Sequence, residues 1–426
     1  MLIYSIIIVT MIRNSVKQFF LNSPEGLRRL VVATRELYYR LGSLLWEKYF
    51  YPSLPKIPQR TRPIKTVLIY MITGMHHSGT EKSLQQIANS LADDYKVLFM
   101  FGDKHIDANR QHCLDPRIKQ VPFSYERSDT DLPHRLYRMQ PHLKEIIEKN
   151  DVDVLITSSP GYAHYPWNVI TNIPIILLNI FGAPTLQKNI TATVFISQTT
   201  LKHASSWTGA IKNAYVKYLP CGPVSPDTKS LGESLRRQLN IEPTDFVFGR
   251  IGRADNNIYD PIGLKAWRRI AHRYHNAHLI IKSPPPILIE ALKAEPLPNV
   301  HLLPASGKEE DIWGFHGSLD AMAHFRHDGE TSGVAIEESL AVGNPVITHR
   351  SHIWNAHLEY LDDSCARVAG LDDDEAYASY MEEFIHLKNS EPANWEQMRQ
   401  AANTKAAELF SPEGFGDLFK KLLRTI

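Results

Sequence analysis

Short, continuous apolar runs separated by amphipathic segments dominate the chain from Lys65 onward. The runs TVLIYMI, KVLFMFG, VDVLITSS, PIILLNI and ATVFIS show no polar alternation. A strand with one wet face alternates and a strand covered on both faces does not, so these runs predict a buried parallel sheet. Between them, SLQQIANSLADD and PHLKEIIEKN carry apolar residues at helical spacing. Strand–helix alternation of this kind predicts a doubly wound α/β domain. The stretch YLPCGPVSPD, Tyr218 to Asp227, is rich in Pro and Gly and interrupts the pattern. Alternation then restarts with DFVFGRIG, HLIIKS, NVHLLP, LDAMAHF and PVITH. The expectation is two Rossmann-like domains, residues 63–222 and 223–400, facing each other across a cleft between strand carboxyl ends. A Ser-Pro-Glu start at Ser411 predicts a C-terminal helix within 401–426, placed to pack back on the first domain.

Residues 1–62 break this pattern. SPEGLRRLVVATRELYYRLGSLLWEKY offers Ser23 as N-cap, Pro24 as first helical residue and Glu25 in the first turn. Leu27, Leu30, Val31, Leu37, Tyr38, Leu41 and Leu45 recur on one face, and Arg28, Arg29, Arg35 and Arg40 occupy the other. Residues 13–62 hold ten Lys or Arg against three Glu. A basic amphipathic helix of this kind either lies on an anionic membrane through residues 13–50 or docks on its own protein. Four prolines between Tyr51 and Pro63 then mark a linker. The apolar run Leu2–Ile12 is eleven residues long, short of the about 20 that cross a bilayer. Met11 offers an alternative start.

Composition narrows the function. Lys+Arg is 47 and Asp+Glu 46, so no overall field draws the chain to nucleic acid. Three cysteines, Cys113, Cys221 and Cys365, are too few and too scattered for a disulfide framework or a zinc site. A reducing, cytoplasmic compartment fits that usage.

Two stretches carry candidate chemistry. ITGMHHSGTEKSLQQIAN, Ile72 to Asn89, follows an apolar strand and opens a helix. Its glycines, Gly74 and Gly79, have phosphate-loop spacing, but Lys82-Ser83 come two residues late. That shift turns both side chains by roughly 200° around the helix. His76 and His77 are adjacent, their side chains diverge, and no third ligand stands near, so no metal site is expected. The second stretch is HFRHDGETSGVAIEESLAVGNPVITH, His324 to His349. A loop carrying Glu330, Thr331, Ser332 and Gly333 enters a helix from about Val334 to Val342. Such a junction presents unpaired amides and the positive dipole end, which suit a phosphate. Glu338, one turn inside, can accept from a ribose diol, and Glu330 from a second sugar. Read blandly, Glu337 and Glu338 are a solvated helix face. Asp151-Val152-Asp153 resembles a metal-binding Asp-x-Asp, and reads more simply as the start of the following strand.

The second stretch resembles the donor-site motif of the retaining GT-B glycosyltransferases of family 4, Glu-x-Phe-Gly-x-x-x-x-Glu-Ala-Met-Ala-x-Gly-x-Pro-Val. Glu330, Gly333, Glu338, Ala341, Gly343, Pro345 and Val346 stand at matching places. WNAHLEYL is similar to an Asn-Ala-x-x-Glu that some members carry, which brings in Asn355. Gly79-Thr80-Glu81-Lys82 looks like the family's first-domain turn. The likeness covers roughly Thr66 to Asn389.

The resemblance implies a GT-B fold and transfer of a hexosyl unit from a nucleoside-diphosphate sugar to a glycan, lipid-linked or small-molecule acceptor. Glu338 would hold the ribose, Glu330 would orient the donor sugar, and Arg253 with the Thr331–Gly333 amides would stabilise the leaving diphosphate. Gly79, Lys282 and Asn355 join the expected donor site, and His164, in HYPW, reaches for the sugar from the first domain. The family's lysine falls at Ile258; Arg250, Lys265 and Lys282 are possible substitutes. No metal or cofactor is expected, and the expected place is the cytoplasm or the inner membrane face. Alternatives are an epimerase or phosphorylase of the same fold, or a non-catalytic nucleotide-sugar-binding scaffold. A nicotinamide dehydrogenase is disfavoured, because no Gly-x-Gly-x-x-Gly follows either leading strand.

Overall fold

The structure is a computed structural model that describes residues 62–71, 75, 79–102, 113–123, 143–159, 167, 170, 172–183 and 189–426. The basic helix expected within residues 13–50 lies outside the described residues, as do His76, His77 and His164.

The first domain is a seven-stranded parallel sheet. Its strands are β1 (Thr66–Met71), β2 (Lys96–Gly102), β3 (Lys119–Phe123), β4 (Val154–Ser159), β5 (Ile175–Asn179), β6 (Ile190–Phe195) and β7 (Ala214–Val216). Their order is β3-β2-β1-β4-β5-β6-β7. The unbroken apolar runs have a direct cause. Val67 and Ile69 enter the core on one face of the sheet, and Leu68 and Tyr70 enter the core on the other.

The second domain repeats the plan with β8 (Phe246–Ile251), β9 (Ala277–Lys282), β10 (Val300–Leu303), β11 (Ala321–Ala323), β13 (Val346–His349) and β15 (Ala366–Ala369). The sheet is parallel, in the order β10-β9-β8-β11-β13-β15. A short separate pair, β12 (Gly329–Glu330) and β14 (Trp354–Asn355), lies outside that sheet. Strand order reverses between β1 and β4 and again between β8 and β11. Ligand crevices form outside the strand carboxyl ends at such points. The architecture is the two-domain GT-B arrangement.

The C-terminus closes the molecule differently from the expected division. The helix Pro392–Leu409 buries Trp395, Met398, Ala402 and Ala406 on the second domain, so a boundary at 400/401 would cut it in half. The chain leaves that domain after Phe410. The helix Pro412–Thr425 then places Phe415, Phe419, Leu422 and Leu423 in the first domain's core. Ser411 caps it, its hydroxyl accepting from the Gly414 amide. The two interdomain crossings touch: the Cys221 amide donates to the Phe410 carbonyl (3.1 Å). Tyr218, Tyr360 and Phe410 pack edge to face there, with ring centroids 4.9–5.8 Å apart. Among the described residues, no helix is long and apolar enough to cross a membrane.

Candidate functional site

Both reversal points open on one cleft of about 780 Å³. The first domain lines it with Gly79, Thr80 and Lys82, and with Ile180 and Phe181 beyond β5. The second domain adds Arg250 and Arg253 from the end of β8 and Ser283 after β9. His324, Arg326, Glu330 and the run from Thr331 to Ala335 complete that wall, with Glu338. Of the residues expected from sequence, Gly79, Arg253, Glu330, Thr331, Ser332, Gly333 and Glu338 meet here.

Glu338 lies in the helix Val334–Ala341 and is buried, as is Glu337 beside it. Neither is a solvated face. The Lys82 ammonium donates to Glu338 Oε1 (2.7 Å) and lies 3.6 Å from Glu309. His316 Nε2 is 3.5 Å from Glu338 Oε2. Burial pushes the Glu338 carboxyl up, but Lys82 and His316 outweigh it and hold the pKa at about 2. Glu330, on β12, is fixed in the same way. His324 Nε2 lies 3.2 Å from its Oε1, and Arg326 Nη1 donates to it at 3.3 Å. Burial again raises this carboxyl, and Arg326 and His324 bring it down to about 2.

The turn between the two carboxylates is built from within. Gly333 caps the helix at φ 116°, and a Cβ there would stand 2.7 Å from the Tyr360 hydroxyl oxygen, so the position needs glycine. Tyr360 donates to the Ser332 carbonyl (2.8 Å), and Ser332 donates to Glu337 Oε1 (2.6 Å). Burial raises the Glu337 pKa well above the usual carboxylate range, against the Ser332 hydrogen bond. Burial thus disfavours the ionised form of Glu337, which holds the turn through Ser332. With Gly333 as cap, the first amides of this helix have no carbonyl partner within it and open on the cleft.

Four of the expected residues take particular places. The Ser332 hydroxyl turns inward to Glu337, which leaves only its backbone for a ligand. Asn355 accepts from the Ser351 amide and donates to the Ser351 carbonyl, so it staples its own turn and is not on the cleft wall. Lys282 ends β9 buried, where burial lowers its pKa against nearby Asp311, and Ser283 lines the cleft in its place. Gly79 has no positive φ; it is small because a Cβ there would meet Val334 Cγ2 across the cleft at 3.2 Å. The Asp151–Asp153 pair stands at the opposite strand ends, where Asp153 accepts from the Lys65 and Thr66 amides (2.7 and 2.8 Å).

Sequence reasoning set Lys82 aside as a misplaced phosphate-loop lysine and did not single out His316, His324, Arg326 or Tyr360. Only the Arg326–Glu330 spacing carried a local signal. Among the described residues, no group of three or more His, Cys, Asp or Glu is placed to hold a metal.

No protein-family model matches the sequence, and no curated protein does. Solved structures match the fold across most of the chain. A glycosyltransferase from Rickettsia africae superposes with TM-score 0.67 at 14% identity, covering 86% of this chain and 99% of that one. HepE from Anabaena, crystallised with UDP and glucose, gives TM-score 0.64 at 16% identity, covering 85% and 100%. A Listeria monocytogenes protein described as a putative UDP-N-acetylglucosamine 2-epimerase gives TM-score 0.57 at 14% identity, covering 85% and 96%. At these identities the likeness shows the fold alone and does not single out a reaction.

Proposed function

We propose that this chain is a retaining glycosyltransferase that moves a hexosyl unit from a nucleoside-diphosphate sugar to an acceptor hydroxyl in the cleft. The observation that carries the reading is one wall bearing two ionised carboxylates, Glu330 and Glu338, with a glycine-capped helix start between them. HepE's crystallisation with UDP supports a nucleotide sugar as the donor.

Glu338 accepts from the donor's ribose diol once Lys82 yields its place. Glu330, oriented by His324 and Arg326, accepts from hydroxyls of the transferred sugar. Arg253 and the amides at the helix start meet the diphosphate, where charge grows as the bond to the anomeric carbon breaks. Fixed donors aimed at that charge lower the barrier. The acceptor oxygen bonds the anomeric carbon on the face the diphosphate leaves, and the hydroxyl proton passes to a departing phosphate oxygen. Configuration is kept, and neither glutamate bonds to the sugar. The acceptor is a glycan, a lipid-linked sugar or a small molecule in polysaccharide synthesis, with residues 13–50 resting on an anionic membrane.

The test is a panel of UDP-, GDP- and ADP-sugars incubated with and without simple sugar acceptors. Release of nucleoside diphosphate that depends on acceptor, with the anomeric configuration of the product kept by NMR, supports the reading. A sugar altered without any acceptor makes the chain an epimerase. No binding and no turnover of any donor overturns both.

A further inference from the structure

Glu359 ends the short turn Ala356–Glu359 of the second domain and reaches the first. Its two carboxylate oxygens accept from the Gln198 and Thr199 amides (2.9 and 2.5 Å), and the Tyr218 hydroxyl donates to it at 2.9 Å. Those amides open the first-domain helix Gln198–Thr208, whose cap, Ser197, accepts only from Thr200. The first amides of a helix have no carbonyl partner within it, and a carboxylate there also meets the positive dipole end. Trp354 meets the same helix, edge-on to His203 with ring centroids 5.0 Å apart. The helix start backs the first-domain wall of the cleft. Gly182 follows the cleft residues Ile180 and Phe181, and a Cβ on it would stand 2.5 Å from the Thr200 carbonyl oxygen.

The same segment supports the second-domain wall. Residues 354–360 begin as β14, which pairs Trp354 with Gly329 and Asn355 with Glu330. They end on Tyr360, which donates to the Ser332 carbonyl (2.8 Å) and packs its ring 5.5 Å from that of Tyr218. One short stretch thus carries the strand partner of Glu330, the carboxylate seated on the first domain, and the support of the Ser332 turn. A side chain keeps a productive place only as firmly as the hydrogen bonds behind it. Here the bonds behind Glu330 and Ser332 run, within a few residues, to the other domain.

We propose that Glu359 is a positioning residue of the cleft: seated on the Gln198 and Thr199 amides, it carries the place of the first domain along residues 354–360 to Glu330 and the Ser332 turn. Its effect on turnover rests on the nucleotide-sugar reading; the coupling of the two walls does not. Glu359 touches no substrate and acts through the residues it holds.

The experiment compares the full-length wild type with Glu359→Ala and Glu359→Gln. Alanine removes both acceptor oxygens and glutamine keeps one. Amide hydrogen exchange of the ligand-free proteins, read by mass spectrometry, follows the coupling without any substrate. Expected in Glu359→Ala is faster exchange at residues 198–201 and 354–360 and also at 329–333, with β8 and β9 unchanged. Turnover of nucleotide sugars and titration of UDP, GDP and ADP follow the consequence. In Glu359→Ala, kcat should fall roughly ten- to hundredfold, while nucleoside-diphosphate affinity stays within a few-fold; Glu359→Gln should fall between alanine and the wild type in both exchange and kcat. Faster exchange confined to 198–201 overturns the proposal, because the contact is then local. Faster exchange throughout β8 and β9 overturns it as a general loss of fold. A wild-type kcat in Glu359→Ala overturns it, and so does an affinity that falls as far as kcat, since the wall is then lost and not misplaced. If the wild type neither binds nor turns over any donor, the nucleotide-sugar reading fails by itself. The exchange pattern then decides the coupling alone: spread to 329–333 supports it, and confinement to 198–201 overturns it.

Discussion

The Lys82 ammonium and the Glu338 carboxylate meet at 2.7 Å although 256 positions separate them in the chain, and each belongs to a different domain. The pair joins the two walls of the cleft at the carboxylate assigned to the ribose. On the proposed reading, ribose hydroxyls would share this carboxylate with the ammonium, so donor binding is expected to weaken an interdomain contact.

Lys82→Met tests that competition. Removing one partner of a buried pair strands the other, at about 3–5 kcal/mol, so the ligand-free variant should melt below the wild type. Nucleoside-diphosphate affinity, measured by titration calorimetry, should be equal or tighter, and the nucleotide should restore more stability than in the wild type. A tenfold weaker affinity would mean that Lys82 grips phosphate, as in a nucleoside-triphosphate loop.

Glu338→Ala removes the ribose acceptor itself. Two charged hydrogen bonds lost correspond to roughly ten- to several-hundredfold in nucleoside-diphosphate affinity. The variant should still unfold cooperatively, because the helix Val334–Ala341 keeps Ile336 and Leu340 in the core. Wild-type binding and turnover in this variant would remove Glu338 from the site.

Gly79→Val addresses the approach of the domains. A Cβ at Gly79 already meets Val334 Cγ2 at 3.2 Å, and two further methyl groups do not fit beside it. Transfer should fall below detection while nucleotide affinity stays within a few-fold, since Arg253, Glu330 and Glu338 all sit on the second domain. Transfer at the wild-type rate would show that the closeness of these walls is immaterial to the reaction.

Glu337 makes the stability depend on pH. Its folded pKa is raised above the unfolded value by burial. The folded protein therefore holds a proton that the unfolded chain gives up near pH 4.5. Its stability is fully present below that pH and declines as pH rises toward the folded pKa. Glu337→Gln keeps an acceptor for Ser332 and cannot ionise. Its melting temperature should match the wild type near pH 4.5 and exceed it increasingly toward pH 8. Parallel melting curves across that range would contradict a raised Glu337 pKa.

The basic N-terminal block makes a separate prediction from sequence. Changing Arg28, Arg29, Arg35 and Arg40 together to Gln should release the protein from sedimented vesicles rich in phosphatidylserine, and added salt should do the same. No vesicle binding by the wild type would leave the helix as an intramolecular element.

The central strands were legible because burial on both sheet faces writes itself into composition. β1, β2, β4, β5 and β6 fall on the apolar runs, as do β8, β9, β11 and β13, and the run NVHLLP also marked the edge strand β10. The edge strand β3, KQVPF, is partly exposed and carries Lys, Gln and Pro, and the edge strands β7 and β15 have only three and four residues. Such edges leave no long apolar run, so they were missed. The Glu330–Glu338 wall was legible too, because a glycine-capped loop entering a helix is a local device whose spacing is set by the backbone.

What the sequence by itself determined is therefore whatever local geometry and two-sided burial dictate: two parallel α/β units, their order, the helix starts at Gly333 and Ser411, and the positions of the two carboxylates. The tertiary structure alone decided which charges pair. Lys282 lies next to the cleft residue Ser283 in sequence yet is not on the cleft wall, and Asn355, remote from every cleft residue in sequence, pairs with Glu330 only through the fold. Glu337 and Glu338 are neighbours on one helix, roughly 100° apart around its axis. Burial raises the pKa of the one that accepts from Ser332, and Lys82 helps bring that of the other down to about 2. Ionisation depends on burial and on the nearest charge, and for Glu338 that charge is Lys82, 256 positions away, which no local pattern records.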